Sequence, residues 1–265
     1  MNTVNVRNIV IGEGIPKICV PIVGKTKEEL LSEVEVLKSV PVDVVEWRMD
    51  WFEEVECCEK AVAMLQVLRE AMPEMPILAT FRSKKEGGEL EISTAAYVEL
   101  NKAIIDSGNA DLIDVELFTG EAQVKELIAH AHDKGVRVIM SNHDFDKTPS
   151  YNEILTRLKA MQTLGADIPK IAVMPTCKAD VITLLQATND MHENFADRPI
   201  ITMSMAGTGV LSRLCGEVFG SALTFGAAKK ASAPGPVSYT HLDVYKRQVS
   251  GCCRIRIVDR QGNAD

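Results

Sequence analysis

The sequence predicts an α/β protein built as a single-domain (β/α)8 TIM barrel, with the last barrel helix replaced by a non-native tail. Three observations carry that expectation. Apolar strand-like runs alternate with helix-period segments through about residue 230, and strict alternation implies parallel strands joined by right-handed crossovers. There are eight such runs with seven helical segments between them, which suits a closed barrel; a doubly wound open sheet is the alternative. Polar residues also fall repeatedly on one parity of the runs, the pattern of a site at the C-terminal ends of barrel strands. A length of 265 residues with 46% apolar content is sufficient for one large core.

Taken in order, residues 1–16 are expected to form a short cover at the barrel bottom. The first strand spans 17–23 and is followed by a helix at 27–39. The second strand, 42–48, places Val44, Glu46, Arg48 and the following Asp50 on one face, and a helix at 58–71 comes next. Leu78, Thr80 and Arg82 share a face of the third strand, 77–82, and the turn Glu86-Gly87-Gly88 then puts a carboxylate on the site side. After a helix at 95–106, the fourth strand, 112–117, presents Leu112, Asp114 and Glu116 together. A helix at 121–134 leads to the fifth strand, 137–143, which closes on His143. The helix 150–164 precedes a sixth strand, 170–174, that opens on Lys170, with Ala172 and Met174 on the same face. A helix at 178–194, a seventh strand at 200–205 with Met203 and Met205 inward, one helix at 210–219 and an eighth strand at 223–226 complete the series.

Composition removes several classes of function. A net charge of −8 and a pI near 5.3 argue against a nucleic-acid surface. The N-terminus lacks the apolar stretch of a signal peptide, and no segment is long enough to span a bilayer. Seven cysteines without Cys-x-x-Cys spacing fit free thiols in a reducing cytoplasm, and no metal centre is expected from them. Gly24-Lys25-Thr26 resembles the end of a phosphate loop, but Cys19 stands where its first glycine belongs. Gly12–Gly14 and Gly207–Gly209 lack the third glycine of a dinucleotide fingerprint, since Lys17 and Ser212 stand there; the second turn is a candidate anion site.

Two residues suggest chemistry. A lysine between apolar neighbours on a strand is expensive to bury. Lys170 therefore reads either as a Schiff-base nucleophile or as a strand-entrance lysine reaching to solvent. His143 reads as a general acid/base or as a hydrogen-bonded strand end, and Lys170 on the adjacent strand favours the first. His130, His132 and His192 lie on helices and are expected to face solvent. Glu46, Arg48, Arg82, Asp114 and Glu116 form either a structural ion-pair network or a set that grips substrate hydroxyls and carboxylate.

At these residues the chain resembles a known family. Glu46-Trp47-Arg48-Met49-Asp50, the run from Thr80-Phe81-Arg82 to Gly88, Asp114-Val115-Glu116, Ser141-Asn142-His143-Asp144-Phe145, Lys170-Ile171-Ala172-Val173-Met174-Pro175, Met203-Ser204-Met205, and Gly209 to Arg213 through Ala231 to Gly235 are together similar to the type I 3-dehydroquinate dehydratases of the shikimate pathway. The resemblance covers about residues 1–235 of 265. It implies a cytoplasmic, metal-free and cofactor-free lyase, a homodimer in many members, whose small-molecule substrate is 3-dehydroquinate. In that reading Lys170 forms the imine, His143 is the acid/base and Glu86 orients it. Arg213 and Ser232 bind the carboxylate, while Glu46, Arg48 and Arg82 meet the hydroxyls. Phe145, Met203, Met205, Phe225 and Ala233 form apolar walls.

The C-terminus departs from the pattern. The family places a glutamine after Ser-Ala-Pro-Gly and then a final helix, whereas this chain has Pro236. Residues 238–248 look like the two translated halves of one inverted repeat, so 236–265 is expected to be a foreign tail on a catalytic domain of residues 1–235. Without the last helix, poor solubility or weak activity is expected. Another lysine-imine aldolase, a non-catalytic binding barrel and an impaired chimera are the competing readings.

Overall fold

The computed structural model describes residues 2–227 and the backbone of 237–238. Expectations about Ser232, Ala233 and Pro236, and about the tail beyond residue 238, lie outside the described residues. Short runs rich in Val and Ile make the barrel strands: β3 (Lys17–Ile22), β4 (Val44–Arg48), β5 (Ile77–Thr80), β6 (Leu112–Glu116), β7 (Arg137–Asp144), β8 (Ile168–Val173), β9 (Ile201–Ser204) and β10 (Leu223–Ala227). All neighbours pair in parallel, and β10 returns to pair with β3. The remaining seam, between β9 and β10, is closed by a single bridge, Ile200 to Ser221, with Ala222 N donating to Ile200 O at 2.8 Å and Thr202 N to Ser221 Oγ at 3.1 Å. The eight-stranded barrel is therefore present, and a two-residue strand β11 (Val237–Ser238) adds to the far side of β10.

Helices α1 (Lys27–Leu37), α2 (Cys58–Ala71), α3 (Thr94–Asp106), α4 (Glu121–Asp133), α5 (Tyr151–Leu164) and α6 (Lys178–Asn194) connect the strands. Their starts are set by local chemistry: Thr26, Ser93 and Ser150 each accept a hydrogen bond from the backbone of the first turn. The expected single helix at 210–219 is instead two, α7 (Val210–Leu214) and α8 (Gly216–Phe219). The chain leaves helical geometry at Cys215 (φ −98°, ψ 16°), and Gly216, a poor helix former, does not carry the first helix on. Strand β8 begins two residues earlier than its apolar run suggested, at Ile168, so Lys170 lies in the strand interior.

Strand alternation divides the barrel into two cores. Outward residues such as Val45, Trp47, Ala79, Ile113, Val138 and Ile171 pack against the helices. Inward residues at the N-terminal end, among them Cys19, Val44, Leu78, Leu112, Ile139, Ile168 and Ile201, form an apolar floor. The antiparallel hairpin of β1 (Val4–Val6) and β2 (Ile9–Ile11) plugs that floor from below. Val4, Val6 and Ile11 are buried in it, each worth about 1.5–3 kcal/mol. Among the described residues no helix is long and apolar enough to cross a membrane.

Candidate active site

Above the apolar floor the inward parity turns polar. Glu46, Thr80, Asp114, Ser141 and Lys170 come first, then Arg48, Arg82, Glu116 and His143, all but His143 more than nine-tenths buried. They surround a cavity lined by Glu46, Arg48, Arg82, Glu86, Gly87, His143, Phe145, Lys170, Ala172, Met203, Met205, Arg213 and Phe225. The described candidates from the sequence thus converge on one cavity. The helix histidines do not: His130 and His132 pair with Asp106 and Asp167 on the outside, and His192 is half-buried beside Gly220.

Lys170 is 3% exposed and does not reach solvent. Its Nζ lies 3.2 Å from Asp114 Oδ2 and 4.4 Å from the Phe225 ring centroid. Ser141 is its register partner on β7, and His143 pairs with Ala172. The imidazole therefore stands two residues closer to the open end than the amine.

His143 is held by Glu86. Glu86 Oε2 lies 3.0 Å from His143 Nδ1 and accepts from the His143 backbone N–H at 2.9 Å, while Oε1 accepts from Asn142 Nδ2 at 3.3 Å. With Nδ1 so engaged, Nε2 is the ring atom left to act on a ligand. Burial, reinforced by the cations Arg82, Lys170 and Arg48, pulls the imidazole well below its ordinary value. Burial pushes the Glu86 carboxyl the other way, up to about 8, against the pull of Arg82 and with help from Glu116.

Glu86 ends a 3-10 turn, and Gly87 follows at φ +83°. A Cβ on Gly87 would stand 2.2 Å from Phe145 Cε2. Glycine is required there to bring the Glu86 turn against the Phe145 wall.

The arginines differ. Arg48 makes a bidentate pair with Asp50, at 2.8 and 2.7 Å. Arg82 meets Asp114 at 2.7 Å, Glu116 at 2.9 Å and Glu86 at 3.6 Å; burial works to lower it, but these carboxylates hold it well above its usual range. Arg48, Arg82 and Glu86 thus belong both to the ion-pair network and to the cavity wall, while Asp50, Asp114 and Glu116 stand behind it. Arg213, on α7, meets no carboxylate among the described residues: Nη1 contacts only Met203 Sδ at 3.6 Å and the Phe225 carbonyl at 3.4 Å, and Nε has no partner. Burial alone brings Arg213 down to about 10. A buried cation left without an anion has charge free to receive one.

Sequence reasoning did not foresee the Asp114–Lys170 contact, the Ser141 bridge or the Asn142 hold on Glu86. Parity signalled the inward position of Asp114, but nothing in the sequence spans the strand between β6 and β8. Among the described residues no cluster of His, Cys, Asp and Glu could hold a metal ion.

The pattern of the family described as Type I 3-dehydroquinase matches residues 18–247. A 3-dehydroquinate dehydratase of Listeria innocua is 60% identical over 91% of this chain and 96% of its own, and one from Escherichia coli is 58% identical with the same coverage. Among solved structures, the type I 3-dehydroquinate dehydratase of Clostridium difficile, carrying covalently modified comenic acid, superposes with a TM-score of 0.92 at 54% identity, covering 95% of this chain and 99% of that one. The Geobacillus kaustophilus enzyme gives 0.91 at 37% identity, over 96% and 98%. With a barrel closed around a buried lysine and a carboxylate-held histidine, and with likeness of this extent, the chain belongs to the type I 3-dehydroquinase family.

Proposed function

We propose that this chain dehydrates 3-dehydroquinate to 3-dehydroshikimate through an imine on Lys170. The observation that carries the reading is a fully enclosed lysine facing a cavity whose other wall is the His143–Glu86 pair. The Nζ lone pair attacks the C3 carbonyl carbon; the carbonyl oxygen takes one proton from the nitrogen and one from protonated His143 and leaves as water, so a protonated imine and a neutral imidazole remain. His143 Nε2 takes a proton from C2, and the electron pair of that bond moves through C2=C3 to nitrogen, giving an enamine. The enamine pair returns to form C1=C2 and expels the C1 hydroxyl, which receives its proton from His143 and leaves as water. A second water hydrolyses the imine and restores the amine.

In this reading Arg213 supplies the anion site for the substrate carboxylate, and Glu46, Arg48 and Arg82 face its C4 and C5 hydroxyls. Phe145, Met203, Met205 and Phe225 exclude water around the reacting carbons. Roles for Ser232 and Ala233 rest on the family resemblance. We assign catalysis to residues 1–235 and none to 236–265. A cytoplasmic setting fits the free cysteines among the described residues; a homodimer rests on the family resemblance and is tested by mass photometry.

Borohydride trapping with 3-dehydroquinate, read by peptide mass spectrometry, tests the reaction. A ligand-dependent adduct confined to the Lys170 peptide is expected, with no turnover of aldol substrates. Well-folded protein that yields no adduct would overturn the reading.

A further inference from the structure

The contact between Lys170 and Asp114 goes unused in the steps above. Asp114 is completely buried, and both carboxylate oxygens are taken. Oδ2 faces Lys170 Nζ at 3.2 Å; Oδ1 accepts from Ser141 Oγ at 2.5 Å and Arg82 Nη2 at 2.7 Å. Side chains from three consecutive strands meet here, with Ser141 in direct register with Lys170. Burial alone would raise the Asp114 carboxyl, yet Arg82, Lys170 and Ser141 keep it below the usual range.

We propose that Asp114 is a positioning residue for the imine chemistry, fixing the Lys170 nitrogen against the Phe225 face and acting as counter-charge to the iminium. The inference rests on the imine reading above. Through the cycle the nitrogen is a cation as ammonium, neutral as the attacking amine, a cation as iminium, neutral as enamine and a cation again before hydrolysis. A fixed carboxylate beside it favours each cationic state. Held by Lys170 alone, that carboxylate would also retain the ammonium and oppose the flow of electrons to nitrogen. Arg82 and Ser141 share the carboxylate through Oδ1, which weakens its hold on the ammonium while leaving Oδ2 beside the iminium nitrogen. Asp114 contacts the amine and not the substrate carbons, so its effect passes through Lys170.

Other ionisable groups stand around this pair: Cys19 on β3 and His143 on β7 act electrostatically with Lys170, Arg82 after β5 acts on Asp114, and Glu46 on β4 lines the same cavity. A charge change at Asp114 must be read against that fixed background. The test compares wild type, Asp114→Asn and Ser141→Ala by borohydride trapping and by the pH profile of kcat/KM.

With Asp114→Asn, trapped adduct at saturating substrate is expected to fall by about tenfold, the loss of one charged hydrogen bond. The acid limb of the profile moves to lower pH, because the ammonium has lost its counter-charge. Ser141→Ala leaves the carboxylate but removes a donor from Oδ1, so the limb moves the opposite way, to higher pH. A purely structural role would reduce activity in proportion to the folded fraction and shift neither limb; that result overturns the proposal. If Asp114→Asn does not fold, the direction of the Ser141→Ala shift decides. A wild type that traps nothing would place the failure in the imine reading itself.

Discussion

Replacing Arg213 with methionine is expected to make the protein more stable and less active at once. Burial brings this guanidinium down to about 10 with no opposing carboxylate among the described residues, a penalty on the order of 3 kcal/mol for the folded cation. The sign follows from linkage: the folded pKa lies below the unfolded one, so the penalty is complete at neutral pH and fades only as pH rises through about 10. Methionine has similar reach, no charge and a thioether suited to the Met203 and Phe225 surroundings. A gain of about 1–3 kcal/mol should raise Tm by several degrees, at roughly 2–4 °C per kcal/mol for a chain of this size. The substrate then loses its carboxylate partner, worth about 2–5 kcal/mol in a buried site, or roughly 30- to 5,000-fold in kcat/KM. Because that contact is present in both ground state and transition state, the loss should appear mainly in KM. Thermal melts and the ultraviolet absorbance of the conjugated product measure both halves. A lower Tm together with an unchanged kcat/KM would refute the assignment of Arg213 as an anion site.

Three further perturbations probe other parts of the argument. Gly87→Ala forces a side chain into φ +83° and onto the Phe145 ring; left-handed strain of about 1–3 kcal/mol plus overpacking of about 1–3 kcal/mol should lower Tm and displace Glu86 from His143. Activity measured well below its Tm should fall as well, and a fully active Gly87→Ala protein would count against the turn as the device that sets the pair. Glu86, with a folded pKa raised to about 8, binds more protons folded than unfolded, so its contribution to stability is complete below about pH 4.3 and lost as pH rises through 8. Denaturant melts of Glu86→Gln should therefore gain on wild type between pH 5 and 8, and parallel curves would sink the claim. Ile11→Ala empties a fully buried position in the barrel plug at about 2–5 kcal/mol, visible as a lower urea midpoint with kcat unchanged; a matching loss of kcat would show that the floor and the site are not independent.

The fold was legible because the barrel repeats one physical pattern. Each strand is short, β-branched and buried on both faces, so apolar runs mark strands and intervening 3.6-residue periods mark helices. Parity then identified the site, since a charged residue on the inward face of such a strand has nowhere to go but the barrel mouth. What parity could not give was pairing. Asp114 was legible as an inward carboxylate, but its contacts with Lys170 and Arg82 depend on strand stagger and on residues separated by more than 30 positions. The break at Cys215 and the single-bridge seam at Ile200 and Ser221 also had no periodic signal, because each depends on how the chain closes the ring.

The two parities also explain how one barrel tolerates so polar an interior. Buried ion pairs such as Arg82 with Asp114 and Glu116 are weak sources of stability, because desolvation offsets their attraction. The outward core, from Val45 and Trp47 to Ile171, and the plugged apolar floor supply the stabilising burial instead. That leaves the upper inward residues free to be arranged for chemistry. The arrangement shows this freedom in two ways: Arg82 is neutralised by more carboxylates than it needs, while Arg213 has none among the described residues. A network built for stability alone would have evened out those charges; the proposed roles, receiving an anionic substrate at Arg213 and steadying a transient cation on Lys170, need them uneven.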